Sequence, residues 1–473
     1  MRTGKIVAIG ASIALLYVGL SQAPEANPVP ACDVIPTGPD CGPPNILIII
    51  TDDQRDGTVK EMPETSRLFA QEGVTFSHAF ATTPICCPSR ASIMTGRYTH
   101  NHGVKHFTPY VLDQRTTLQR YLKDEGYGTA FYGKYLNAWA LEDNPPHFDD
   151  WAVFPQSTGD TYVGGRWNVN GTVKSVDEYS THFIADRALG FIEDSESDDQ
   201  QPWLMFVSTP AAHLPYVAEE TYEHAPVSSW DGNPAVFDNI SDKPSFVEAL
   251  AQDKCDYECG VTARKGQIRT LLSVDVLVKT IFDSLEETDE ANNTLAFFVS
   301  DNGLMWGEYG LDGKRLPYGP SVKIPMYMRW PARLDPDTDK RLSATIDIAP
   351  TVLEAVKTEA SSPPQDGVSL LDPDWKRTKM LLESWGGIGI PDWFSIRTQD
   401  SQYIEYYTRE GSPLERELYD LGRDPWQLNN LLDSMTAQQR RNATHGLHKK
   451  LSRLRTCYGS SCIRQQSPRH AGP

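Results

Sequence analysis

The stretch PNILIIITDDQ, residues 44–54, decides the predicted fold of this 473-residue chain. The run from Ile46 to Ile50 is entirely apolar and rich in β-branched side chains, a pattern typical of a strand buried on both faces of a sheet. Two further runs of this kind are PWLMFVST, residues 202–209, and NTLAFFVSDNG, residues 293–303. Strands of this type predict a parallel sheet that other elements cover on both faces.

Segments with helical periodicity alternate with these strands. Residues 178–194, and a longer segment from about Thr262 to Glu287, repeat apolar side chains at helical spacing. This alternation predicts an α/β fold with a mainly parallel central sheet flanked by helices. We assign residues 45–360 to this domain.

The composition changes at SSPPQDG, residues 361–367, which is typical of a linker. The segments beyond it predict hairpin strands and a closing helix after Ala437. We therefore predict a smaller C-terminal α+β domain with an antiparallel sheet over residues 361–463, followed by a disordered tail over residues 464–473.

The first 26 residues predict export. A basic start with Arg2 and Lys5 precedes an apolar run from Ile6 to Leu20, and small and polar residues follow. This is the layout of a signal peptide, with cleavage between Ser21 and Ala26, and residues 27–44 form a linker. An uncleaved anchor is the alternative, although the run is short for a membrane span. We predict a secreted, extracellular protein that is free of the membrane after cleavage, or a lysosomal one if the source is eukaryotic.

An exported chain can use its eight cysteines in disulfides. Three pairs are close in sequence, although the connectivity is not fixed by the sequence: Cys32 with Cys41, Cys255 with Cys259, and Cys457 with Cys462. This pairing leaves Cys86 and Cys87 over. Four sequons predict glycosylation if the source is eukaryotic; they are at Asn170, Asn239, Asn292 and Asn442.

The formal net charge is −19. A surface of this charge repels nucleic acids and long polyanions. We therefore expect no nucleic-acid partner. The sequence leaves the oligomeric state open.

Acidic side chains follow two of the predicted strands. Asp52 and Asp53 end the first, and Asp301 and Asn302 end the third. Ligands bind beyond the carboxyl ends of strands in such sheets, so these side chains are expected to converge. Three carboxylates in one buried site repel one another unless a cation lies among them. Oxygen ligands suit Ca²⁺ or Mg²⁺ rather than zinc.

The stretch CCPSRASIMTGR, residues 86–97, places the two remaining cysteines at the start of a predicted helix, because Pro88 suits a first helical turn. A helix N-terminus favours an anion, and Arg90 and Arg97 add positive charge. A buried cysteine pair with Ser89 as a cap is the alternative from composition alone.

This stretch resembles the signature of the type I sulfatases of the alkaline phosphatase superfamily, C-x-P-S-R followed by T-G-R. The resemblance extends from residue 44 to LYDLGRDPWQLNNL, residues 418–431. CCPSRASIMTGRYTHNH and GKYLN are most similar to the glucosamine-6-sulfatase and arylsulfatase-like branch. The resemblance implies an alkaline phosphatase-like fold.

The resemblance also implies a chemistry. Counting from the proline, Cys86 is the residue that a formylglycine-generating system oxidises to formylglycine during export. Its hydrate is a gem-diol that acts as a metal-bound nucleophile, and Arg90 holds it. The implied metal ligands are Asp52, Asp53, Cys86, Asp301 and Asn302. Lys134 and Lys314 are implied to bind the sulfate oxygens, and His213 to contact the sulfate and protonate the leaving oxygen.

One position departs from the family pattern. Many sulfatases have a histidine two residues after the lysine that matches Lys134, where this chain has Leu136. That histidine is thought to act as the base on the second hydroxyl. We consider His102, also a candidate substrate-binding residue, and His100 as replacements.

We predict a secreted sulfuric ester hydrolase that acts on small aryl or sugar sulfates, because the expected positive charge at the site is enough for one sulfate group. A phosphodiesterase or phosphonate monoester hydrolase of the same superfamily is an alternative. A non-catalytic sulfate-binding protein is the other, if Cys86 is not oxidised.

Overall fold

The computed structural model of the protein describes residue 1 and residues 42–154, 162–197, 201–251, 255–360, 362–387 and 389–467. The predicted signal peptide beyond Met1, most of the linker, and both Cys32 and Cys41 lie outside the described residues. In the described part of the chain, no helix is both long and apolar enough to cross a membrane.

Sixteen strands are found in the described residues. They are β1 Asn45–Thr51, β2 Val74–Phe80, β3 Gly128–Lys134, β4 Asp150–Phe154, β5 Val163–Val169, β6 Thr172–Tyr179, β7 Trp203–Ser208, β8 Thr294–Ser300, β9 Met305–Trp306, β10 Asp312–Gly313, β11 Met326–Arg329, β12 Asp337–Ala344, β13 Met380–Ser384, β14 Asp392–Arg397, β15 Ser401–Tyr407 and β16 Pro413–Asp420.

The α-helices of the same residues are α1 Pro63–Thr65, α2 Cys86–Thr95, α3 Thr99–His102, α4 Leu118–Asp124, α5 Ser180–Glu196, α6 Ser245–Leu250, α7 Tyr257–Glu287, α8 Gly319–Val322, α9 Ile348–Ala355, α10 Ala437–Leu454 and α11 Ser460–Gln466. The short α1 continues as a π-helical segment, Ser66–Gln71. The long helix α7 begins before the predicted Thr262, because the Asp256 side chain caps its first turn by accepting from the Cys259 backbone N–H.

One sheet holds ten of the strands, in the order β12-β2-β11-β8-β1-β7-β3-β4-β5-β6. Its centre, from β8 to β4, is parallel. The predicted mainly parallel sheet is confirmed there, but β11 and the β5–β6 hairpin add antiparallel pairings that the sequence did not predict.

The two faces of β1 explain why its sequence lacks polar residues. Ile46, Ile48 and Ile50 point into a core that contains residues of α2, α4 and α9. Leu47 and Ile49 point into a second core that contains residues of α5 and α7. Alternate side chains of a strand face opposite sides of the sheet, so β1 joins two helical layers.

A second sheet, β13-β14-β15-β16, is wholly antiparallel and forms the smaller C-terminal part together with α10, as predicted. Its core is continuous with that of the larger part, because Tyr98 and Leu342 lie in the same cluster as Leu451. The predicted disordered tail was placed too early. Helix α11 continues through Gln466, whose buried side chain accepts a 2.6 Å hydrogen bond from Arg377. Residues 468–473 lie outside the described residues.

Two of the predicted disulfides are present, Cys255–Cys259 and Cys457–Cys462. Cys86 and Cys87 are free and buried. The four sequon asparagines are all exposed, but glycosylation itself stays a prediction.

Candidate active site

The acidic residues that follow β1 and β8 meet at one edge of the large sheet. The two strands pair in parallel with Thr51 opposite Ser300, so the chain leaves both at the same level. The Asp53 backbone N–H donates to Asp301 Oδ1 at 3.1 Å, and Asn302 Nδ2 donates to Asp53 Oδ1 at 2.6 Å. The structure therefore brings together the strand-end residues that the sequence singled out, all of them buried.

The backbone of Asp53 is held in an unusual conformation. Its φ of 63° lies in the left-handed region, which is uncommon for a residue with a side chain. Gln267 of α7 donates to the carbonyl oxygens of Asp53, at 2.7 Å, and Ala212, at 3.0 Å. Trp306 in turn donates to Gln267 Oε1. Gln267 is not among the predicted site residues, and its one local signal is a polar side chain among the core-facing positions of α7.

The two adjacent cysteines point in different directions at the start of α2. Cys86 Sγ lies 3.4 Å from Asp52 Oδ1 and 2.7 Å from Lys314 Nζ. Cys87 lies in the hydrophobic core, and its Sγ is 3.7 Å from the Asn137 carbonyl oxygen. Only the first thiol reaches the acidic residues.

Three cations lie among the carboxylates. Arg90 Nε donates to Asp301 Oδ2 at 2.8 Å, and its Nη1 donates to the Lys134 carbonyl oxygen. The Lys134 ammonium group forms an ion pair with Asp52, and Lys314 forms one with Asp53. Positive and negative side chains therefore alternate around Cys86.

His213 lies at the more exposed side of this group. Its Nε2 is 3.6 Å from Asp53 Oδ2, and the side chain is 25% exposed. Its Nδ1 is 2.7 Å from the Leu214 carbonyl oxygen, which can only accept, so Nδ1 donates and Nε2 faces the carboxylate. Lys314 is also partly exposed, at 12%. These two side chains mark the entrance to the site.

The electrostatics of the cluster shift several pKa values. Burial raises the pKa of the Cys86 thiol, and the Asp52 carboxylate raises it further. Burial also raises the pKa of Asp301, with Asp52 adding to the effect. Burial opposes ionisation of Asp52 as well, but Lys134 and other cations hold its pKa well below its usual range. The raised pKa favours the protonated form of the Cys86 thiol, which is a weaker nucleophile than a thiolate.

The two candidate replacements for the missing base are engaged elsewhere. The Val104 N–H donates to His102 Nδ1 at 3.1 Å, and His102 Nε2 lies 3.1 Å from Ser92 Oγ. Burial and the nearby Arg97 lower the pKa of His102 to about 3. Among the described residues, none of these ring contacts is with the acidic cluster. The geometry therefore does not support a base or substrate-binding role for His102.

His100 lies in an ion pair with the C-terminal part of the molecule. Its Nδ1 is 2.9 Å from Glu383 Oε2, and its Nε2 is 3.0 Å from the Cys457 carbonyl oxygen. Burial opposes protonation of His100, but the Glu383 carboxylate raises its pKa overall. Leu136 itself is a buried core residue. The expectation that His100 takes over the base role is likewise not supported by its contacts.

A buried thiol at a helix N-terminus, bordered by carboxylates, ammonium groups and a guanidinium group, forms a site whose charges are suited to an anionic ester. Comparison with family models agrees with this chemistry. Residues 44–358 match Sulfatase, and residues 307–457 match N-sulphoglucosamine sulphohydrolase, C-terminal. The chain belongs to the sulfatase family and is a sulfuric ester hydrolase.

Individual relatives agree with this assignment. Human N-acetylglucosamine-6-sulfatase is 28% identical over 482 residues, covering 89% of this chain and 86% of the human protein. A structure solved in complex with its substrate D-glucosamine-2-N,6-O-disulfate has a TM-score of 0.75 at 21% identity and covers 91% of this chain and 100% of its own. Phosphonate monoester hydrolase from Silicibacter pomeroyi has a TM-score of 0.70 at 21% identity, covering 88% and 96%. The two structural matches confirm the predicted fold.

Proposed function

We propose that this protein is a secreted sulfatase that removes the sulfate group from a small sulfated sugar through a formylglycine at position 86. The observation that carries the proposal is the position of Cys86 Sγ, 2.7 Å from Lys314 Nζ and 3.4 Å from Asp52 Oδ1. A side chain at this position reaches an anion held by the cations and a metal held by the carboxylates. The sugar is inferred from the N-acetylglucosamine-6-sulfatase relative, and secretion from the leader at residues 1–26.

A divalent cation fits the acidic group. Asp52, Asp53, Asp301 and Asn302 would hold it, and their oxygen atoms are the ligands that Ca²⁺ and Mg²⁺ prefer. Asn302 Oδ1 is buried and has no hydrogen-bond partner among the described residues, as expected of an atom reserved for a ligand. A cation at this place would polarise oxygen atoms bound next to it.

The remaining roles belong to side chains of the chain itself. Oxidation of Cys86 to formylglycine supplies a hydrated aldehyde whose two hydroxyl groups replace the thiol. Arg90 holds that residue in place from within the core. Lys134 and Lys314 bind the sulfate oxygens and offset the negative charge that develops on them. His213, at the entrance, donates a proton to the oxygen that leaves with the sugar.

The substrate is small under this proposal. A long sulfated polymer would lie across a protein surface with a formal net charge of −19, and repulsion would slow its association. A phosphonate monoester hydrolase shares the fold, so phosphonates are the alternative substrates. The charges disfavour phosphate monoesters, because a sulfate monoester carries less negative charge and needs fewer cations around it. A phosphonate monoester carries the same single charge as a sulfate monoester, so here the match to the sulfatase family favours sulfate.

The test is an assay of protein produced together with a formylglycine-generating system. Mass spectrometry of the tryptic peptide that contains position 86 should show formylglycine. Sulfate release should then be measured from N-acetylglucosamine 6-sulfate and from an aryl sulfate, alongside a phosphonate monoester and a phosphodiester. We expect turnover of the sulfate esters with the highest kcat/KM for the sugar. Oxidised protein that hydrolyses only the phosphorus esters, or binds sulfate without turnover, would overturn the proposal.

A further inference from the structure

Arg315, which follows Lys314 directly, has a backbone conformation that its side chain disfavours. Its φ is 82°, in the region where glycine is the usual residue. The backbone is fixed there because Trp393 Nε1 donates to the Arg315 carbonyl oxygen at 2.8 Å. Strained residues of this kind cluster at functional sites. A half-buried arginine at a position where glycine would be less strained therefore points to a use for its guanidinium group.

Two cation–aromatic pairs define this region of the molecule. The Arg315 guanidinium lies 5.7 Å from the ring centre of Phe107, and Lys105 Nζ lies 4.6 Å from the ring centre of Trp385. Lys105 and Phe107 lie on one short loop, so the four residues form a single patch, which we name the rim cluster. It combines two aromatic faces with two cations, and one of these cations, Arg315, is adjacent in the chain to Lys314 at the entrance to the site.

The cations of the rim cluster lack counter-charges. Within the described ranges, neither Lys105 nor Arg315 forms an ion pair with a carboxylate, in contrast to Arg90, Lys134 and Lys314. A cation without a carboxylate partner is available to an anionic group of a ligand. The absence of a side chain at Gly387 leaves space for the Arg315 guanidinium group, because a Cβ there would lie only 2.8 Å from Nη1.

We propose that the rim cluster is a subsite for a second negatively charged group of the substrate, a sulfate or a carboxylate, on the sugar that carries the reacting ester or on its neighbour. This inference rests on the proposed function. Arg315 binds the second group through paired N–H donors, a geometry that guanidinium provides for planar or tetrahedral oxyanions. Lys105 adds a second charge, and the sugar ring packs against Phe107 or Trp385. The substrates preferred by this chain are therefore sugars with at least two anionic groups.

Two sugars distinguish this subsite from the catalytic cluster. N-acetylglucosamine 6-sulfate carries one negative group, and glucosamine with sulfate on both N2 and O6 carries two. We expect the native enzyme to prefer the second sugar. Arg315→Gly should lower kcat/KM for the doubly charged sugar by about tenfold to a hundredfold, the range for a lost hydrogen bond between charged groups. For the singly charged sugar the change should stay within about twofold, as no such contact is lost.

Control variants separate binding from folding. Arg315→Gly also removes backbone strain, so its Tm should be equal to or above that of the native protein. Lys357→Gly is the matched control, because Lys357 also has a left-handed φ, 56°, but follows α9 far along the chain from the site. It should raise Tm similarly without changing the ratio of kcat/KM values. Gly387→Ala should displace the guanidinium without removing its charge, and should lower the preference by a smaller factor.

Binding measurements keep the inference testable without turnover. Calorimetry should measure both sugars on Cys86→Ala and on Cys86→Ala combined with Arg315→Gly. Loss of preference for the doubly charged sugar in the double variant supports the subsite. An equal preference in both proteins overturns it, whatever the enzyme does. If neither sugar is hydrolysed by oxidised native protein, the proposed function fails independently of this result.

Discussion

Two of the groups of buried carboxylates among the described residues differ in their surroundings. Asp52, Asp53 and Asp301, at the carboxyl edge of the parallel strands, are bordered by ammonium and guanidinium groups. Glu405 and Glu417, on the antiparallel sheet, are bordered mainly by tyrosine hydroxyls. Both groups are desolvated, yet only the first has the composition of a reactive site.

The antiparallel group is complete in itself. Glu417 accepts hydrogen bonds from Tyr318, at 3.1 Å, and from Tyr406 and Tyr419. Buried polar groups that are satisfied in this way hold a fold together. In the strand-end group, by contrast, one buried acceptor has no hydrogen bond, because Asn302 Oδ1 has no partner among the described residues. Complete hydrogen bonding, rather than burial, therefore separates a structural carboxylate cluster from one that can take a ligand.

Metal removal should have the largest effect in this comparison. Exhaustive chelation should lower sulfatase activity by about a thousandfold or more, since a bound cation supplies several kcal/mol of transition-state stabilisation. Added Ca²⁺ or Mg²⁺ should restore it. Activity and metal content are measured together on the same sample. Full activity in protein shown to be free of metal would refute the cation site.

The antiparallel group should respond to pH rather than to metal. Burial raises the pKa of Glu417 to about 7, against an ordinary value of 4.5. Between these values the folded state binds more protons than the unfolded state, so this group lowers stability as pH rises. A glutamine at this position does not titrate, so its contribution to stability does not depend on pH. The difference in free energy of unfolding between Glu417→Gln and the native protein should therefore shift in favour of the variant by up to about 3 kcal/mol as the pH rises from 4.5 to 8.

Glu405→Gln is the control, because its effect on the free energy of unfolding should have the opposite sign. Burial opposes ionisation of Glu405, but Tyr403 and its other donors lower its pKa overall. Its charged form therefore stabilises the fold above pH 4.5, and the variant should lose stability there. Denaturant unfolding at pH 5 and pH 8 measures both. A Glu417→Gln difference that does not change with pH would contradict the account of this cluster.

The smallest effect is expected at His102. Both ring nitrogens of His102 already have hydrogen-bond partners, Ser92 and the Val104 backbone N–H. His102→Gln should change kcat/KM by less than about fivefold and leave the pH profile in place, whereas losing a general base costs about a hundredfold or more. Steady-state kinetics from pH 5 to pH 9 measure this. If a folded His102→Gln variant lost a hundredfold in kcat/KM and the acid limb of its pH profile changed, His102 would have to be assigned a catalytic role.

The strand-end group could be predicted because its signal is local. A wholly apolar strand such as β1 specifies burial on both faces, and the residues after it lie at the ligand-binding edge. Cys86 could be placed at a helix start from Pro88. The β5–β6 hairpin was missed because its strands are only partly buried: β5 exposes much of its VGGRWNV sequence and lacks a clear period. Strand β11 is buried but only four residues long.

Other features depend on contacts distant in sequence. Gln267 donates to the carbonyl oxygen of Asp53, 214 residues away, and its polar side chain among the core-facing positions of α7 does not indicate this partner. The engagement of His100 by Glu383, 283 residues away, is equally invisible in the sequence, so a histidine beside the motif resembled a free base. The left-handed backbone of Arg315 arises from a tertiary hydrogen bond to Trp393.

The most direct test of the central claim compares the two adjacent cysteines. Cys86→Ala and Cys87→Ala should be produced with a formylglycine-generating system, and the initial rate of sulfate release from N-acetylglucosamine 6-sulfate should be measured for each. The account predicts background rates for Cys86→Ala, and a rate within about tenfold of native for Cys87→Ala, which loses only a small buried group. A folded Cys87→Ala variant without activity, together with turnover by Cys86→Ala, would contradict it.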